Sequence, residues 1–227
     1  MNYGQASNSS QEMTWTRPNL SANGTMGGNS FACVADSESS TSLAAYKAFD
    51  GTETSSSLWG SSNTAYPHWI TFYNPTPIKV TQLTITNYDN NEAKRAISEG
   101  TVFGSNDNNN WTTIKAFSNT NRTPLSTWTI NMSNNTSYYK YYKLYASAGY
   151  YDKVCKVCEI KITATYLTTT LGDIVFPYSH TNNNYAYSLA YYGGQIGGSY
   201  ASSMSATGMS LYNNSNCSRV YYTTMGY

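Results

Sequence analysis

Charge is what this sequence has least of. Lys, Arg, Asp and Glu together make up 11% of its 227 residues, less than half the share of about 25% in an ordinary soluble domain. Basic and acidic residues nearly cancel, leaving a net charge of +1. No basic cluster stands out, so nothing steers the chain toward nucleic acid or an anionic membrane. It also lacks the roughly 18 consecutive apolar residues of a transmembrane helix, so no membrane insertion is expected. Leu, Lys and Glu are scarce beside Thr, Tyr, Val and Ile, which leaves long helices little to form from and favours strands. No G-x-S-x-G, Gly-rich phosphate loop or H-E-x-x-H appears. With so few carboxylates, a paired acid/base site would need Asp50, Glu53, Glu92 or Glu99 in unlikely combinations. These absences point away from an enzyme and toward a binding protein.

Cysteine is sparse too: Cys33, Cys155, Cys158 and Cys217. Cys155 and Cys158 have the spacing of half a zinc site, but no second pair follows, and His68 and His180 are far apart. On a strand, positions three apart face opposite sides, which spoils chelation. Buried thiols, or one disulfide from Cys33 to Cys155 or Cys158, are the expected alternatives.

What the chain has in abundance is tyrosine, 23 residues within an aromatic share of 15%, set among Asn, Ser, Thr and Gly. Strand-like runs are predicted at 31–35, 69–73, 78–87, 100–104, 112–117, 127–132, 139–146 and 154–166. Period-2 alternation is plain in VTQLTIT from Val80 and IKITATY from Ile160. Turn clusters separate the runs, as in YDNNE from Tyr88 and SNDNNN from Ser105. Strands at this spacing predict an antiparallel sandwich or jelly roll. Residues 1 to about 14 are polar and unpatterned, as expected of a flexible arm or an assembly contact. A break is expected at 167–170. Beyond it, 171–227 holds one acid, Asp173, one base, Arg219, and ten tyrosines. Patches such as YAYSLAYY from Tyr185 and RVYYTTM from Arg219 are expected to be strands. Their tyrosines cluster like packing faces rather than spacing out as low-complexity sequence does.

Four segments, in order, carry a resemblance. AAYKAFDG at 44–51 is followed by SLW at 57–59. PHWITF at 67–72 precedes IKVTQLTI from Ile78. AKRAISEGTVFGSNDNNNWTTI spans 93–114, and YYKLY at 141–145 precedes CEIKI at 158–162. Together they resemble the discoidin, or coagulation factor 5/8 type C, domain, whose bacterial members include family 32 carbohydrate-binding modules. The resemblance implies an eight-stranded antiparallel jelly roll over 29–166; outside it, 1–28 is expected to be an arm and lead-in and 167–227 a Tyr/Gly/Asn-rich β assembly segment. It further implies a structural cation, usually calcium, in the loop after the first strand. Carried over position by position, its ligands are Lys47 and Thr52 through their carbonyls, the side chains of Asp50, Ser57 and Glu159, and the Cys158 carbonyl as a further candidate. Oxygen donors with two carboxylates suit such an ion. Ser57 stands where the family has threonine, and the loop before it is two residues longer than usual. The metal-free alternative has Asp50 capping its turn and Glu159 pairing with a lysine.

The resemblance also places ligand on loops at one end of the sandwich. A sugar site pairs an aromatic platform with planar hydrogen-bonding groups. Arg95, at the position of an arginine often near ligand in the carbohydrate-binding members, is the first candidate, with Tyr88, Asn90, His68, Tyr150 and Tyr151 after it. Trp59, Trp69 and Trp111 are expected in the core. The fold hosts sugar, lipid and protein binders alike, so a cell-surface glycan is the expected partner without being fixed by the fold. The N-terminus shows no positive segment and no apolar segment of a leader. The lead-in from Trp15, WTRPNLSANGTMGG, resembles that of discoidin domains on phage particles. A phage virion protein recognising host glycans is therefore expected, self-associating or meeting other virion proteins through 1–28 and 167–227. A secreted or surface bacterial module and a purely structural decoration protein are the alternatives.

Overall fold

The computed structural model describes residues 2–5, 8–62, 64–88, 95–150, 153–175, 185–192, 200–205, 208–212 and 219–226, with side chains between 10 and 168. The chain divides into two compact units, Thr14–Tyr166 and Met1–Met13 with Leu167–Tyr227. Strands β1 (Asn2–Gln5) and β2 (Asn8–Trp15) come first, followed by β3 (Ala32–Ala35), β4 (Trp59–Gly60), β5 (His68–Asn87), β6 (Ile97–Ser105) and β7 (Thr112–Ser118). Then come β8 (Thr127–Asn131), β9 (Tyr139–Gly149) and β10 (Lys156–Val175), and finally β11 (Tyr185–Tyr192), β12 (Tyr200–Ser205), β13 (Gly208–Tyr212) and β14 (Arg219–Gly226).

Strands β3 to β10 build the Thr14–Tyr166 unit as an antiparallel sandwich, and β5 belongs to both of its sheets. Its first part pairs β3 on one side and β9 on the other, and β6 and β7 continue outward from β9. Its second part pairs β8 and β10, with β4 beyond β10. The change of sheet falls in Asn74-Pro-Thr-Pro77, where the register against β9 shifts between Tyr73 and Ile78. Two prolines without N–H groups cannot serve a central ladder, so the strand turns there. Tyr142 secures the turn: its hydroxyl donates to the Ile78 carbonyl at 2.7 Å and accepts from the Val80 N–H at 3.1 Å.

Alternation brings Ile70, Phe72, Tyr142, Leu144 and Ala146 inward from one sheet and Ile78, Val80, Leu83, Ile85 and Ile160 from the other. Phe31, Phe49 and Phe72 meet edge-on or tilted between them, and Tyr142 stacks on Phe72 at 5.3 Å, the offset geometries aromatic rings prefer. The alternation expected from Val80 is interrupted: Val80 and Leu83 both point inward, because Gln82 pairs Thr163 and Val80 pairs Ala164, leaving Thr81 as a bulge. Trp59 is in the core, but Trp69 and Trp111 are not. They hold Lys143 on the outer face, its Nζ 5.1 and 3.9 Å from their ring centres. Asp107 shapes the loop before Trp111 by accepting from the Asn109 and Asn110 amides. Those bonds hold its carboxyl well below the usual range.

Outside the sandwich, β14 lies between β1 and β11, and β12 pairs β13, which pairs the far end of β10. Residues expected as an unpatterned arm thus include two strands, whose order comes from partners rather than from alternation. Strand β10 runs on through 167–170, while the division between the two compact units falls between Tyr166 and Leu167. Residues 14–28 cluster with the sandwich and not with the arm. Among the described residues no helix is long and apolar enough to cross a membrane.

Candidate functional site

The described residues of the loops joining β5 to β6, β7 to β8 and β9 to β10, and of the one after β4, are tied together by hydrogen bonds at one end of the sandwich. Asn87, the last residue of β5, organises them. Its side chain donates to the Asn121 and Thr123 carbonyls at 3.1 and 3.2 Å and accepts from the Trp128 indole at 3.0 Å, while its amide donates to Ser126. Asn119 donates to the Ile97 carbonyl and ties the same loop to β6. The Lys156 amide donates to the Arg95 carbonyl at 3.0 Å, and the Ser61 amide to that of Cys155 at 2.9 Å.

Four of the six predicted ligand residues can be placed on this frame. Tyr88 follows Asn87, half-buried, with the Lys156 ammonium 4.4 Å from its ring centre. Arg95 is half-buried beside them. Burial lowers Lys156 from its ordinary value, and the charge of Arg95 adds to the effect. Tyr150 lies under the Arg122 guanidinium, 5.1 Å from ring centre to Cζ, and its hydroxyl donates to the Asn119 carbonyl. Gly149 before it has no room for a side chain, because a Cβ would stand 2.0 Å from the Tyr66 hydroxyl. Asn90 and Tyr151 lie outside the described residues. His68 is a correction. It is fully buried, with Nδ1 2.9 Å from Asp36 and Nε2 2.7 Å from the Lys153 carbonyl, so it presents neither nitrogen to a ligand. The end thus displays two tyrosines, each beside a cation. Lys156 and Arg122 went unremarked in the sequence, where nothing marks a lone base as the neighbour of a distant ring.

Among the residues proposed for calcium, Asp50, Thr52 and Ser57 bond to one another, and Glu159 meets a different cation. Arg17 reaches in from the lead-in: Nη2 lies 2.5 Å from Glu159 Oε1, and Nη1 donates to the Phe49 carbonyl. The other Glu159 oxygen accepts from the Gly51 amide at 2.9 Å. Asp50 closes its own turn, accepting from the Thr52 amide at 2.8 Å and from the Ser57 hydroxyl. Lys47 is in the short 3-10 turn Ala45–Ala48 just before, and Cys158 is buried beside Glu159. The Glu159 side chain is wholly shielded and that of Arg17 is 9% exposed. Burial pushes the Glu159 carboxyl up to about 7, against the pull of Arg17 and the Gly51 amide. Burial likewise lowers Arg17, against the charges of Glu159 and Asp50. With both carboxylates engaged by protein donors, this arrangement holds a guanidinium and does not fit a calcium ion. The metal-free alternative comes closer, with arginine in place of the lysine.

Cys33, Cys155 and Cys158 are buried and form no disulfide with one another, which selects thiols over the disulfide. Burial raises Cys33 to about 12 and pushes Cys155 up as well. Among the described residues no three His, Cys, Asp or Glu side chains converge on a metal position.

Comparison with known proteins agrees with this architecture. A carbohydrate-binding module of Clostridium perfringens, solved with GalNAc-β-1,3-galactose, superposes with a TM-score of 0.50 at 19% identity, over 59% of this chain and 94% of its own. The family 32 module of NanJ from the same species, solved with galactose, gives 0.51 at 16% identity over 59% and 93%. The C-terminal domain of a chitobiase from Bacteroides fragilis gives 0.51 at 18% over 63% and 98%. At these identities the likeness is one of fold. No curated protein matches the chain in sequence. The model of the F5/8 type C domain matches residues 30–160, more than half of the length, and the chain belongs to that family.

Proposed function

We propose that this chain is a non-catalytic glycan-binding protein, carried in several copies on a phage particle, that holds cell-surface sugars at the loop end of its sandwich. The observation that carries the reading is the pairing there of Tyr88 with Lys156 and of Tyr150 with Arg122, with Arg95 alongside. An aromatic face covers the apolar side of a pyranose, while guanidinium and amide groups hydrogen-bond its hydroxyls. Solved relatives of the same fold with galactose or GalNAc-β-1,3-galactose support the ligand class.

The particle setting draws its support from residues 171–227, nearly uncharged and rich in tyrosine, a composition suited to packing against neighbours. Several copies would convert weak sugar binding into avidity. A secreted or surface bacterial module would use the same loop end. A glycan array probed with the full chain tests the ligand class, and silence across galactose-, GalNAc- and glucosamine-bearing glycans would refute it. Sedimentation tests the setting: a multimer that becomes a monomer on deletion of 167–227 fits the particle, and a monomeric full chain fits the free module.

A further inference from the structure

We propose that the Arg17 guanidinium is the built-in cation of this domain, occupying the place between Asp50, Glu159 and the Phe49 carbonyl that a bound divalent ion would otherwise take. Glu159 and the Phe49 carbonyl both meet the guanidinium, and the charge of the adjoining Asp50 also acts on it; such a set needs a positive charge among it. Arg17 provides one with a planar fork whose prongs reach two acceptors at once, Glu159 Oε1 at 2.5 Å and the Phe49 carbonyl. Its Cζ also lies 5.8 Å from the Phe49 ring centre. Neighbouring bonds lead to the same turn. The Leu20 amide donates to the Phe49 carbonyl at 2.9 Å, and Asn23 Oδ1 accepts from the Tyr46 amide at 2.8 Å. The segment around Arg17 is thus strapped across the 44–51 turn, and the guanidinium fastens that strap to β10.

Glu159 explains why the cation must be permanent. A wholly shielded carboxylate without a partner is among the costlier features a fold can carry. A mobile ion would leave it so whenever the ion departed; an arginine in the chain does not depart.

The test uses the full chain and thermal unfolding in millimolar calcium and in EDTA. The wild type is expected to melt at the same temperature in both. Arg17→Met is expected to melt lower by roughly 10 °C in EDTA and to regain part of the loss in calcium, because the freed oxygens suit that ion. Should Arg17→Met fail to fold, Arg17→Met with Glu159→Gln, which removes both charges, is expected to fold and to ignore calcium. A wild-type melting temperature raised by calcium but not in Asp50→Asn would overturn the proposal. An Arg17→Met protein as stable in EDTA as the wild type would overturn it too, and so would a double variant no more stable than Arg17→Met.

Discussion

Gly51 gives the turn at 49–52 its shape. Its φ of +85° lies in the left-handed region, and a Cβ there would stand 2.4 Å from the Asn19 side-chain nitrogen. Gly51→Ala is therefore expected to cost about 1–3 kcal/mol, read from urea unfolding. An unchanged midpoint would mean that the strap yields easily. The buried cysteines allow a second check at this scale. The thiolate, not the thiol, is the reactive form, and burial holds Cys33 near 12. In a Cys217→Ser background at pH 8, Cys33, Cys155 and Cys158 are expected to resist a disulfide reagent in the native protein and to react in urea. Rapid native reaction of any of them would contradict the burial. Single residues were the hardest to read from sequence. Asp50 and Glu159 were legible because they sit in motifs, FDG and CEIKI. Arg17 was in plain view in WTRPNL, and the one available signal was that Glu159, inside an apolar strand, must find a positive partner. Sequence cannot say that this partner stands 142 positions away.

At the scale of elements the reading was better. Runs around 69–73, 78–87, 100–104 and 139–146 became parts of β5, β6 and β9, because strands with one buried face must alternate. Two features stayed hidden for physical reasons. The first is that 69–73 and 78–87 are one strand shared by two sheets, since the Asn74-Pro-Thr-Pro77 segment looks like a loop and only pairing shows otherwise. The second is β1 and β2, whose polar sequences owe their strands to hydrogen bonds with β14 and β10. The hinge between the two parts of β5 should depend on Tyr142. Tyr142→Phe leaves the buried Val80 N–H without its acceptor and is expected to cost about 1–3 kcal/mol by chemical denaturation. A loss within error of zero would show that the bend rests on the prolines alone.

For the molecule as a whole, the sandwich unit, Thr14–Tyr166, extends past the family match of 30–160 at both ends, by far the more at its start. The strap explains why: Arg17, Leu20 and Asn23 all bond to the 44–51 turn. Its family could be read from motifs in order. The sugar could not, because loops of this fold change ligand without changing the core. The central claim is that the loop end binds glycans, and calorimetric titration of the full chain with a galactose- or GalNAc-terminated oligosaccharide tests it most directly. Binding is expected for the wild type. Tyr88→Ala and Arg95→Ala are each expected to weaken it tenfold or more, on the order of 1.4 kcal/mol, with melting temperatures unchanged. Binding that survives both substitutions, or a wild type that binds none of these sugars, would contradict the account.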